Sequence, residues 1–318
     1  MSDVEKPREN EINQAKANFH DIYTAPTPHA YLSEMASLGY QIGEQAKPYL
    51  NAACSFLQKR NGPESTVGML DLGCSYGVAS ALVKYGCSLE ELLSFFDGRA
   101  PSGREECVRA TERWLHAVEP SLDIDVVGLD ASAPAIRFGE SSGLLDDGIS
   151  ENLEETTHAP TDDSAAKIRR SNLLVSTGAI GYVTERTFAK LLPELGRDHE
   201  GPAGPIAVLT VLRMFDMEPI ARCFEEADMQ IEPLPGVLLP QRAFASEKEK
   251  NDILSFLRDR NVDTAGAEDE GVLFAELWFA ARKSESAGLR QALGAVANQD
   301  TPDPLLTTHV EVALSANA

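Results

Sequence analysis

No apolar run in this 318-residue chain reaches the ~18 residues that a membrane-spanning helix needs. Basic residues are scarce, with 28 Lys and Arg against 50 Asp and Glu, a formal charge of −22 at pH 7. Phosphate backbones are held by Lys and Arg patches, so this deficit argues against a nucleic-acid partner. The five cysteines (Cys54, Cys74, Cys87, Cys107 and Cys223) are odd in number and include no C-x-x-C pair. That excludes the usual disulfide and zinc patterns, so no metal is expected and reduced thiols point to the cytoplasm. The opening MSDVEKPREN is charged throughout, unlike a signal peptide. Taken together, these absences leave a chain expected to act on a small molecule.

The most informative stretch is Val67-Gly-Met-Leu-Asp71-Leu-Gly73-Cys74-Ser75-Tyr-Gly77-Val-Ala-Ser-Ala-Leu. Val67 to Leu70 has the short apolar character of a buried parallel strand. Beyond Gly77 the spacing becomes helical, with Val78, Ala81, Leu82 and Tyr85 on one face. A strand, glycine turn and helix in this order bring backbone close to a ligand and offer unpaired N–H groups at the helix start. A dinucleotide fingerprint requires G-x-G-x-x-G, and there is no G-x-G here. Asp71 would also repel a pyrophosphate, whereas it suits a cofactor carrying ammonium or sulfonium charge. The alternative is a turn whose glycines serve packing alone.

A second buried-type strand, Asp125 to Leu129, ends in Asp130-Ala131-Ser132. Alone, such an acid is commonly a turn or helix cap. The pair of motifs resembles class I S-adenosylmethionine (SAM)-dependent methyltransferases, whose first motif is D/E-x-G-x-G-x-G. Ser75 stands at the middle glycine. The resemblance implies SAM as cofactor, with Asp71, Gly73, Cys74, Ser75 and Gly77 at the first turn. It places Asp130 on the ribose hydroxyls with Ala131 beside it, and Asn152 or Glu154 near the adenine amino group.

Asp130 follows Asp71 by 59 positions, against roughly 20 in a compact βαβ unit. The excess, within 82–121, reads as inserted helices: a capping box Ser88-Leu-Glu-Glu91 opens one, and Arg104 to Glu119 is another. A helix-to-strand connection lies at the strands' N-terminal edge, so these helices are expected below the sheet, as scaffold or subunit contact. Further strands are expected at Ile149–Leu153, Ser171–Val175, Ile206–Leu212, Ile231–Phe244 and Gly271–Ala281, alternating with helices. That pattern implies an α/β, doubly wound, Rossmann-like sheet of seven strands, mostly parallel, with helices on both faces. The resemblance, over roughly residues 60–283, implies an antiparallel last pair.

Residues 1–60 are expected to form a helical lid over a SAM-binding catalytic domain at 61–283, with 284–318 a flexible tail. Helical spacing runs over Asn10–Tyr23, His29–Leu38 and Gln41–Leu57, with Pro48 starting or kinking the last. Without these helices the sheet is still complete, so a chain starting near Gly62 is expected to fold. The aromatics Phe19, Tyr23, Tyr31 and Tyr40, with His20, could face a sulfonium through cation–π contact, or simply glue helices to the core.

Chemistry is less legible. Methyl transfer is an in-line displacement in which the enzyme aligns two groups, with a base only if the acceptor must lose a proton. Tyr182, His20 and Arg213 are the catalytic candidates: Tyr182 past the fourth strand, His20 in the lid, and Arg213 able to fork a substrate carboxylate. Ser176 and Thr177, at the exit of the fourth strand, are candidate cofactor contacts. Three classes remain open: a methyltransferase acting at O or N of a small metabolite, an enzyme that cleaves or cyclises SAM itself, and a non-catalytic SAM-fold partner subunit. A homodimer is compatible with each.

Overall fold

Among the described residues seven strands form one sheet in the order β3-β2-β1-β4-β5-β7-β6. In the computed structural model, residues 24–62, 65–97, 103–118, 120–155, 157–199 and 203–298 are described. β1 (Val67–Leu72) lies between β2 (Ile124–Leu129) and β4 (Leu173–Thr177), and both pair parallel to it. β3 (Asp147–Ile149) and β5 (Ile206–Leu212) extend the parallel part on either side. β7 (Val272–Ala281) and β6 (Gln230–Ala243) then pair antiparallel, so the sheet is mixed rather than mostly parallel. Every residue of β1 and β5 is buried, as the unbroken apolar runs require of strands covered on both faces. β6 is the outer strand and breaks register between Pro233 and Leu238, where a residue without an N–H is tolerated only at an edge. The third strand is shorter and earlier than the expected Ile149–Leu153, because Asn152 starts a turn by accepting from the Glu154 and Glu155 N–H groups.

The first two described helices are α1 (His29–Ser37) and α2 (Ile42–Asn61). α2 runs through Pro48 as a single helix and belongs to the core. Ile42, Ala46, Tyr49, Leu50, Ala53, Cys54 and Leu57 join the main hydrophobic cluster with the sheet. Treating residues up to 60 as separable from the sheet is therefore incorrect for α2; its apolar stripe has the width of a core-facing helix. The expected helix at Asn10–Tyr23 lies outside the described residues.

Between β1 and β2 come α3 (Val78–Tyr85), α4 (Leu89–Phe96) and α5 (Arg104–Val118). The expectation that this insertion packs below the sheet, away from the ligand, fails for α4. Lys47 of α2 donates to the carbonyls of Gly86 and Cys87 at 3.0 and 2.8 Å. Glu44 accepts from the Leu89 N–H at 2.7 Å. These bonds tie the α3–α4 turn to α2. α4 then packs on α1, with Leu92 and Phe96 clustered with Tyr31, Leu32 and Met35. No local spacing encodes a tether 40 residues distant.

α6 (Ala133–Ser142), α7 (Asp162–Arg169), α8 (Glu185–Leu191), α9 (Glu218–Glu226) and α10 (Glu247–Asp259) complete the alternation. A last helix, α11 (Lys283–Ala297), replaces the first part of the expected flexible tail. Its Leu289 and Leu293, one turn apart, are fully buried, and it packs on α2, β6 and β7. Arg60 reinforces the contact by donating to Glu285 at 2.8 Å. Among the described residues no helix is long and apolar enough to cross a membrane.

Candidate functional site

The turn after β1 is held by backbone and by one carboxylate. The Gly73 N–H donates to the Leu129 carbonyl at 2.8 Å, which locks the turn to β2. Gly73 has φ +75°, and a Cβ there would meet that of Ala179 at 2.3 Å, so only glycine fits. Asp130 accepts from the Ser75 N–H at 2.9 Å and, with its other oxygen, from the Ser132 N–H at 2.8 Å. Burial pushes the Asp130 carboxyl above its ordinary value, against the pull of those two donors. Gly77 caps α3 in the left-handed conformation.

Ser75 sits in the left-handed region with φ 51° and is buried, and its hydroxyl has no hydrogen-bond partner among the described residues. That is a costly place for a side chain: the left-handed region costs an L-residue about 1–2 kcal/mol, offset by glycine's greater freedom when unfolded of roughly 0.5–1 kcal/mol. Ser75→Gly is expected to raise unfolding stability by up to about 1 kcal/mol in urea denaturation. A fall in stability would mean that the hydroxyl makes a bond worth more than the strain.

Asp71 does not reach the cavity wall. It lies under the turn, buried, where it accepts from the Ser80 hydroxyl at 2.5 Å while its Oδ1 has no partner among the described residues. The expected direct ligand contact is thus replaced by support of the turn through α3. Burial pushes the Asp71 carboxyl up to about 6, with the Ser80 bond opposing and Asp130 adding to the rise. The folded state therefore holds this proton more tightly than the unfolded chain does. Its contribution to stability grows as pH falls through about 6 toward the ordinary carboxylate range. Denaturation between pH 8 and pH 5 should show the wild type gaining stability relative to Asp71→Asn as pH drops. A difference independent of pH would contradict the shift.

The turn opens onto a cavity of about 830 Å³ at the carboxyl edge of the parallel strands, where open α/β sheets bind ligands. Its walls include Gly73, Cys74, Ser75, Asp130, Ala131, Asn152, Thr177, Tyr31 and Tyr182. The structure thus brings together most of the residues singled out in the sequence. Tyr31 is buried against Tyr76, ring centroids 5.7 Å apart, and the Tyr76 hydroxyl donates to the Ala25 carbonyl at 2.8 Å. The motif's own tyrosine thereby anchors the segment leading into α1. Tyr182 is 49% exposed and stands at the rim. Thr24, Tyr40, Leu32, Met35, Leu89 and Leu93 also line the cavity; of these only Tyr40 carried a sequence signal, because the others come from elements whose docking is non-local.

Besides Asp71, three candidates lie off the cavity wall: Arg213, Ser176 and Gly77, the last of which packs against Leu145. Arg213 is not on the cavity wall: its guanidinium forks onto the buried Glu268, Nε to Oε1 at 3.0 Å and Nη2 to Oε2. A substrate carboxylate cannot displace a buried partner cheaply. Ser176 is fully buried and donates to the Leu72 carbonyl at 2.9 Å, stitching β4 to β1. Glu154 does line the cavity, yet its carboxylate accepts from the Thr184 N–H and hydroxyl and from the Thr187 hydroxyl, securing the start of α8. His20 and Tyr23 lie outside the described residues. All five cysteines are free and buried.

The residues present fit SAM on two counts: the turn of Gly73 and Ser75 on the cavity wall, where the buried Ser75 hydroxyl has no partner among the described residues, and the Asp130 carboxylate at the end of β2. No protein-family model matches the chain. No curated protein matches it either. Solved structures it is similar to include methyltransferases, several of them in complex with S-adenosylhomocysteine (SAH). A TehB-like SAM-dependent methyltransferase from Corynebacterium glutamicum is 14% identical, with 71% of this chain and 86% of that one covered and a TM-score of 0.31. The plantazolicin methyltransferase BpumL with SAH is 12% identical, over 86% and 98%, at 0.37. The N-methyltransferase NodS from Bradyrhizobium japonicum with SAH is 9% identical, over 86% and 98%, at 0.34. At such scores these likenesses carry no functional weight, which rests on the site's own residues.

Proposed function

We propose that this chain is a SAM-dependent methyltransferase that transfers a methyl group to an oxygen or nitrogen of a small molecule. The observation that carries the reading is the joining of two strand ends: Asp130 of β2 bonds the Ser75 backbone of the β1 turn, and both line the cavity. A carboxylate there can accept from vicinal hydroxyls of a ribose, while Gly73 admits the cofactor chain close to the backbone. Ala131, Asn152 and Thr177 complete the cofactor contacts, with Tyr31 of α1 and Thr24 before it on the same wall. The bound cofactor supplies an activated methyl group. The chain's own part is alignment and exclusion of water, with Tyr182 at the rim able to orient an acceptor or take its proton.

Incubation with SAM tests the reading. SAH formed only when acceptors are added supports methyl transfer. Methylthioadenosine released from SAM alone would instead assign an enzyme that cleaves or cyclises its cofactor. Binding of SAM with no product under either condition would assign a partner subunit.

A further inference from the structure

The cavity has two chemically different parts. Toward β2 and β3 it is acidic, with Asp130, Glu151, Glu154 and Glu155. Toward the helices it is apolar: Leu32 and Met35 of α1, Val78 and Leu82 of α3, and Leu89 and Leu93 of α4 form one wall. Val78, Leu89 and Leu93 are only partly buried there, so the wall keeps apolar surface open toward the cavity. Among the described residues no Lys, Arg or His lines the cavity. At about 830 Å³ it lies near the upper end of the roughly 300–1,000 Å³ that ligand sites span, room for a second small molecule beside a cofactor.

These observations point to the acceptor's chemistry, and we infer that it is a small, largely apolar molecule, neutral or cationic, seated on the leucine wall that α4 brings to the site. The inference rests on the reading of the cavity as a SAM site. An apolar face of this kind gains by removing ligand surface from water. An anionic acceptor on this wall would find no cation among the lining residues, four acids on the other side of the same cavity and a chain of formal charge −22. α4 becomes the specificity-determining element, held in place by Glu44 and Lys47.

Three probes of one shape separate the possibilities: 2-naphthol, 2-naphthylmethylammonium and 2-naphthoate, titrated into the full chain saturated with SAH. The first two are expected to bind, and naphthoate at least tenfold more weakly. Leu93→Arg should weaken 2-naphthol at least tenfold and improve naphthoate, while SAH affinity stays within about twofold. Leu89→Gln, a milder change, should weaken 2-naphthol severalfold. Naphthoate binding as tightly as naphthol would overturn the inference, as would naphthol binding indifferent to both substitutions. Naphthol that fails to bind the SAH-loaded chain would also overturn it. If SAH itself does not bind, the cofactor reading falls as well.

Discussion

A chain beginning at Gly62 will not fold. The truncation removes α2 and, with it, Ile42, Tyr49, Leu50 and Leu57, each essentially buried against the sheet. Burying a side chain of this size contributes about 1.5–3 kcal/mol, so these four alone supply roughly 6–12 kcal/mol. A domain's whole stability is about 5–15 kcal/mol. The loss also strips α11 of one of the three elements it packs on and frees the α3–α4 turn from Glu44 and Lys47. Circular dichroism with urea should show no cooperative transition and far-reaching exposure of apolar surface. A cooperative transition in the truncated chain would show α2 to be dispensable and return it to the role of a cover.

Asp130→Ala is expected to weaken SAH binding roughly 10- to 100-fold. The carboxylate bonds the Ser75 and Ser132 N–H groups on one side and lies on the cavity wall on the other. Hydrogen bonds to a charged group contribute about 1.5–3 kcal/mol, which converts to that range of affinity. The substitution also loosens the turn by removing the acceptor for Ser75, so a modest loss of thermal stability accompanies it. Titration calorimetry separates the two effects, since a folded variant with unchanged SAH affinity would remove Asp130 from the ligand's contacts.

The parts of the molecule that were legible in the sequence are those specified by neighbours in the chain. The apolar run from Val67 to Leu70, the glycines flanking Ser75 and the acid closing β2 placed the turn, the helix after it and the carboxylate that bonds the turn. What was not legible depends on partners far along the chain. Arg213 looked available at the end of β5, because Glu268, which holds it, comes 55 residues later in a short 3-10 turn. Ser176 looked like a polar contact at a strand exit, but its hydroxyl is taken by the Leu72 carbonyl across the sheet. α4 carried a clear capping box and no hint of its destination; the destination was set by Lys47 and Glu44. α11 was obscured by composition, since Ala, Ser and Gly surround the two leucines that dock it. Each error has the same cause: a residue type constrains its local geometry strongly and its distant partner hardly at all.

The central claim is that the cavity beside the β1 turn is built for SAM rather than for a dinucleotide. Calorimetric titration of SAH into the full chain tests it most directly, followed by competition with SAM and with NAD. One site should be seen, displaced by SAM and untouched by NAD, because Asp71 beneath the turn and Asp130 beside it oppose a pyrophosphate. Absence of SAH binding, or displacement of SAH by NAD, would contradict the account.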